Sequence, residues 1–232
     1  MRLITPSDDE LYGLASAAGK FGRAGKLLAR LEDACRADPR DVAAADRFAL
    51  AQMAVLPSVG IEFAAHARFT DTIEALGAVL ALDPESWLAR YSRARLRALT
   101  PSSYGAYAVR ISGELAGALD DLDQLIALQA RCAPQPYFAC THALAAVIDQ
   151  LAGTPAPAGR PPLLEALAAV PAVPVRLPAL GAVLCEPLAT LYAAAAGPER
   201  HAIGEVMAAL HGDQPVVAEL RGRPAPAVGR SR

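Results

Sequence analysis

Residues 8–41 place apolar side chains at helical spacing twice, with a glycine between the runs and a proline after the second. Leu11, Leu14, Ala15 and Ala18 form the first stripe; Leu27, Leu31 and Ala34 form the second. Steps of three and four put each set on one face of a helix. Gly22 stands where the chain must turn, and Pro39 where a helix must already have ended. The segment is committed to a helical hairpin whose apolar side needs further helices to cover it. Composition agrees: aromatic residues are 5%, β-branched residues are sparse, and no long alternating run suggests sheet.

The pattern returns. Residues 72–84 read Thr-Ile-Glu-Ala-Leu-Gly-Ala-Val-Leu-Ala-Leu-Asp-Pro, a helix and its exit, and Trp87, Leu88, Ala89, Arg90 and Tyr91 open the next helix. A third copy runs through Ala118, Leu122, Leu125 and Leu128 to Ala133 and Pro134, followed by a further helix over 137–151. A unit of about 34 residues built as helix–turn–helix resembles the tetratricopeptide repeat (TPR). The resemblance covers about residues 8–151. It implies an all-α fold, a short TPR-like helical-hairpin solenoid of about three helix pairs, and binding of a protein or peptide in its groove.

The second and third units depart from that family, because their hairpins are long. One first helix ends at Leu56, Pro57 and Ser58, with the next helix expected near Asp71. The other ends at Thr100, Pro101 and Ser102, with the next near Gly113. Inserts over 57–70 and 101–112 fall on one face of such a stack. Residues 153–162 read as a Pro/Gly/Ala linker. Helices are expected over 163–170, 177–196 and 198–211, with Pro187 starting or kinking one and Pro198 and Glu199 starting another. They would form a helical C-terminal cap region over 163–220. Residues 221–232 read as a disordered tail.

Charge and targeting signals narrow the function classes. The net charge of −2, with 20% charged residues, suits neither a nucleic-acid binder nor a disordered acidic chain. Only Lys20 and Lys26 are lysines, so arginine richness alone says little about function. The opening residues turn polar at Ser7, where an export signal would need an apolar stretch, and no run is long enough to span a membrane. The expectation is a soluble cytoplasmic protein whose Cys35, Cys132, Cys140 and Cys185 are reduced and mostly buried.

Catalytic and cofactor patterns are poor fits. Around Gly25 and Lys26 a phosphate loop lacks its first glycine, its Ser or Thr and its strand. Asp120, Asp121 and Asp123 stand close enough for a magnesium pair, but Gln124 breaks the acidic motif, and a solvated helix face is expected. Cys132, Cys140 and His142 match no zinc spacing. Glu62 and His66 are one residue too far apart for the Glu-x-x-His of di-iron bundles. No metal or cofactor is expected.

One face remains as a binding candidate. Arg90, Arg93 and Arg97 share a helix side, with Tyr91 beside them and Tyr104, Tyr107 and Arg110 in the following insert. The other insert brings Phe63, His66 and Arg68. Arginine with aromatics grips carboxylates, phosphates and acidic peptides. The TPR carboxylate clamp is excluded, because it uses Asn side chains and this chain has no Asn. The expected function is a protein- or peptide-binding scaffold, and Arg90→Ala with Arg93→Ala is expected to abolish capture without unfolding. The alternative is a small-molecule or enzyme pocket closed by the inserts, with His66 as the acid–base group. Homo-oligomerisation through Leu184, Leu188 and Leu191 is a third reading.

Overall fold

The computed structural model describes residues 1–58, 63–98, 112–153, 160–171 and 175–211. Among these the chain is all-α: eleven α-helices, one 3-10 turn and no strand beyond an isolated bridge between Arg2 and Ser86. No helix of the described residues is long and apolar enough to cross a membrane. Two compact units divide the chain at Arg131 and Cys132, ahead of the Pro/Gly/Ala segment over 153–162.

The first unit holds α1 (Pro6–Lys20), α2 (Ala24–Ala37), α3 (Val42–Val55), α4 (Phe63–Leu82), α5 (Trp87–Ala98) and α6 (Ser112–Gln129). Local chemistry sets the boundaries. Thr5 and Asp8 form a reciprocal capping box with Pro6 behind them, so α1 starts sharply. Gly22 takes φ of +68°, the left-handed conformation that lets the chain turn into α2. Asp41 accepts hydrogen bonds from Ala43 N at 2.8 Å and Ala44 N at 3.1 Å, which caps α3. The 3-10 turn Leu56–Ser58 closes α3 at the expected proline.

α4 departs from expectation, since it begins at Phe63 and not near Asp71. Residues 63–70 therefore belong to a helix, and residues 59–62 of the expected insert lie outside the described residues. The physical reason is local: Phe63, Ala64, Ala65, His66, Ala67, Arg68 and Phe69 include no Gly or Pro to hold the chain out of a helix.

Each helix packs on its neighbour along the sequence, and α1 packs most on α3. Ala49, Leu76, Val79, Leu80, Ala89 and Leu96 make a buried cluster, with Phe69 and Ile73 against it. Trp87 and Tyr91 stack with ring centres 4.7 Å apart, and both are fully buried. An extended start ties the unit together. Arg2 N donates to Glu85 O at 3.0 Å, and Trp87 N donates to Arg2 O at 3.1 Å. The Arg2 side chain bonds Asp46 and, at 3.0 Å, Ser86 Oγ.

The second unit holds α7 (Phe138–Ala152), α8 (Leu163–Ala168), α9 (Leu180–Leu184), α10 (Glu186–Ala194) and α11 (Gly197–His211). Pro187 sits in the first turn of α10, as expected, and the run over 177–196 breaks there into two helices. Leu184, Leu188 and Leu191 are not an open seam. They are buried inside this unit with Leu144, Ile148, Ile203 and Met207, because α10 packs on α7 and α11 of its own chain.

None of the four cysteines forms a disulfide. Cys140 and Cys185 are buried, and burial with the neighbouring Cys185 pushes the Cys140 thiol well up. Cys35 is partly open, and burial, then Asp41 and Glu32, push its thiol up as well. Iodoacetamide on the native protein should therefore modify Cys35 and Cys132 first, and Cys140 and Cys185 only on unfolding. Peptide mass spectrometry over a time course checks the order. Early modification of Cys140 would contradict the burial.

Candidate binding site

The α5 sequence alternates two jobs. Trp87, Tyr91 and Ala94 face inward, while Arg90, Arg93 and Arg97 follow at steps of three and four along another side. All three arginines converge on Asp121 of α6. Arg93 makes a forked contact, Nε donating to Oδ2 at 2.8 Å and Nη2 to Oδ1 at 2.6 Å. Arg90 Nη1 donates to Oδ1 at 3.2 Å, and Arg97 Nη1 to Oδ2 at 3.2 Å. Arg90 also bonds Gln124 Oε1 and, at 2.7 Å, the Pro84 carbonyl. Gly117 leaves room for this convergence, since a Cβ there would lie 3.0 Å from Arg97 Nη1.

Burial is graded across the cluster. The Asp121 side chain is 2% exposed and that of Arg90 7%, but those of Arg93 and Arg97 are 19% and 23% exposed. Burial pulls the Arg90 guanidinium below its ordinary value, Asp121 opposes the shift, and the Arg93 charge adds to it. The group still stays charged, because a guanidinium does not give up its proton in a protein. One carboxylate thus faces several guanidiniums. The forked contact uses Nε and Nη2 of Arg93, and its Nη1 lies over α4, where a Cβ on Gly77 would be 3.6 Å away.

Other predicted positions separate from this cluster. Tyr91 is turned into the core under Trp87 and does not reach a surface. Arg68 is exposed and lines a small recess with Leu28, Gln52, Val55, Asp71 and Thr72, away from α5. Tyr104, Tyr107 and Arg110 lie outside the described residues, as do the side chains of Phe63 and His66 and all of Glu62. Arg90 is no simple surface contact. It ties α5 to α6 and to the turn before α5, so changing it together with Arg93 to Ala tests stability as much as capture.

Asp121 was the residue that motif reading missed, because the acidic run over 120–123 suggested a solvated face. Its phase gives it away. Ala118, Asp121, Leu122 and Leu125 fall on one helical side, so Asp121 occupies a core-facing position. An inward acid opposite an Arg-lined helix is the signal.

The second unit has its own polar contacts. Arg160 Nη1 donates to Asp149 Oδ2 at 2.7 Å, with both side chains buried. His142 lies near, and burial, then the Arg160 charge, hold its imidazole below the ordinary value. Cys140 is turned toward Cys185, away from any shared centre with Cys132. Among the described residues, no three His, Cys, Asp or Glu side chains are placed to hold a metal ion. No protein-family model, curated protein or solved structure matches the chain.

Proposed function

We propose that the first unit is a TPR-like binding module that takes an acidic segment of a partner protein at the α5 arginine face. The observation that carries this reading is the shared carboxylate. Arg90 and Arg93 both rest on Asp121, and the Arg93 head remains partly open above it. Three guanidiniums share one carboxylate, and those of Arg93 and Arg97 are partly open and already oriented by it. A glutamate or aspartate from a partner would meet a pre-set fork and lose little side-chain freedom on the protein's side. The successive pairing of helices, and of α1 with α3, supports the hairpin-stack reading of the unit. Four unpaired thiols support a reducing, cytoplasmic setting for the proposed module.

Fluorescence anisotropy with a labelled hexaglutamate peptide tests the proposal. The expected result is binding at low salt that weakens as salt rises. Arg93→Gln should reduce the affinity about tenfold, since a charge-assisted contact contributes roughly 1.5 kcal/mol. Circular dichroism of the variant must match that of the parent. No binding at millimolar peptide, or equal binding by a folded Arg93→Gln variant, would overturn the assignment.

A further inference from the structure

Leu14 is 68% exposed and Phe21 76% exposed, the two largest exposures among the large apolar side chains of the described residues. They are not scattered. Glu10, Leu14, Ala17 and Phe21 follow at steps of four, three and four, so they share one side of α1 and its exit. All four are exposed, while Tyr12 and Ala15 on another side are buried. α1 therefore carries an inward apolar face that is covered and an outward apolar strip that is not. Two large apolar side chains on one face need an explanation that one alone would not.

Charge along the strip identifies the occupant. The exposed acid Glu10 lies near the start of the helix, and the exposed bases Lys20, Arg23 and Lys26 lie at and beyond its end. The order along the strip is acid, apolar, base. A strip of that order is complementary to itself when turned end for end. An acidic partner would meet Glu10 in repulsion, and a basic one would meet Lys20 and Arg23. A second copy in antiparallel register meets neither.

We infer that α1 is the contact between two copies of this chain, related by a two-fold axis that crosses the helix between Leu14 and Ala17. In that register Leu14 of one copy lies over Ala17 of the other, and Glu10 lies beside Lys20 and Phe21 of the other. Gly13 and Ala17 keep the centre of the strip small, which lets helix axes approach to about 8 Å. The contact is isologous, so it closes at two copies and does not grow into a fibre. A helix of this length spans about 22 Å, so the contact falls at the low end of interface sizes, and micromolar dissociation is expected. No residue of α5 takes part, and the contact stands or falls independently of the arginine face.

Sedimentation equilibrium of the full chain from about 1 to 200 μM reads the outcome, with that range chosen to bracket micromolar dissociation. The expected result is a monomer–dimer equilibrium that Leu14→Ser with Phe21→Ser converts to monomer across the whole range. Both changes sit at exposed positions, and circular dichroism should show unaltered helix content. Glu10→Lys should weaken the dimer about tenfold, and Glu10→Lys combined with Lys20→Glu should restore it. A parent that is monomeric throughout, or a dimer that survives the double serine change, overturns the proposal. A charge exchange that fails to restore the dimer overturns the antiparallel register.

Discussion

Asp121→Ala is expected to destabilise the first unit by about 3–5 kcal/mol, a large share of the 5–15 kcal/mol that holds a typical domain together. The loss does not come from the hydrogen bonds alone. Removing the carboxylate leaves Arg90, Arg93 and Arg97 close together in a largely buried space with their shared partner gone. Like charges then repel where little water can screen them. Arg93→Gln should cost far less, because Asp121 keeps the other two arginines. Urea unfolding followed by Trp87 fluorescence reads the effect, since Trp87 is the only tryptophan and sits on α5 itself. Added sulfate should recover part of the lost stability in Asp121→Ala, by occupying the place the carboxylate left. A midpoint shift worth less than about 1 kcal/mol would mean that the cluster is held by neighbouring core contacts and not by its charge.

Trp87→Ala should cause a comparable loss, about 3–5 kcal/mol, by a different route. The indole is wholly buried and lies flat on Tyr91, so truncation opens a cavity and strips one face of the phenol ring. Trp87→Phe should recover most of the difference, because it keeps an aromatic face in place. Thermal unfolding by far-ultraviolet circular dichroism distinguishes the two variants. Equal losses in both would show that a phenyl ring cannot fill the place of the indole. The two predictions are also separable. Sulfate should stabilise Asp121→Ala more than Trp87→Ala, which shows only the general effect of an excluded salt.

Much of the first unit was legible because its signals are local. Gly22 and Pro57 each act on the residue or two around them, and each falls where a helix stops or turns, as Pro187 does where a helix of the second unit starts. The α4 start was misplaced for the same reason in reverse. The run over 63–70 reads as part of an insert from its place between two motifs, although nothing in it breaks a helix. The arginine side of α5 was visible from spacing, but its partner was not. Asp121 lies 31, 28 and 24 residues from Arg90, Arg93 and Arg97, a distance at which only tertiary contact decides the pairing. Leu184, Leu188 and Leu191 show the same limit. A stripe of leucines announces that something covers it and does not say whether the cover belongs to the same chain.

The bridge at Arg2 carries a consequence for how the unit comes into being. Its side chain and backbone meet residues some 84 positions later, at Ser86 and its neighbours. A ribosome adds about 5–20 residues per second, so Arg2 waits several seconds for those partners to emerge. Helices α1 to α3 can form meanwhile, but Asp46 must keep its place open until the start of α5 arrives. During translation the unit is thus a set of partly assembled helices, and Arg2 stays unfastened until residues some 84 positions later have emerged.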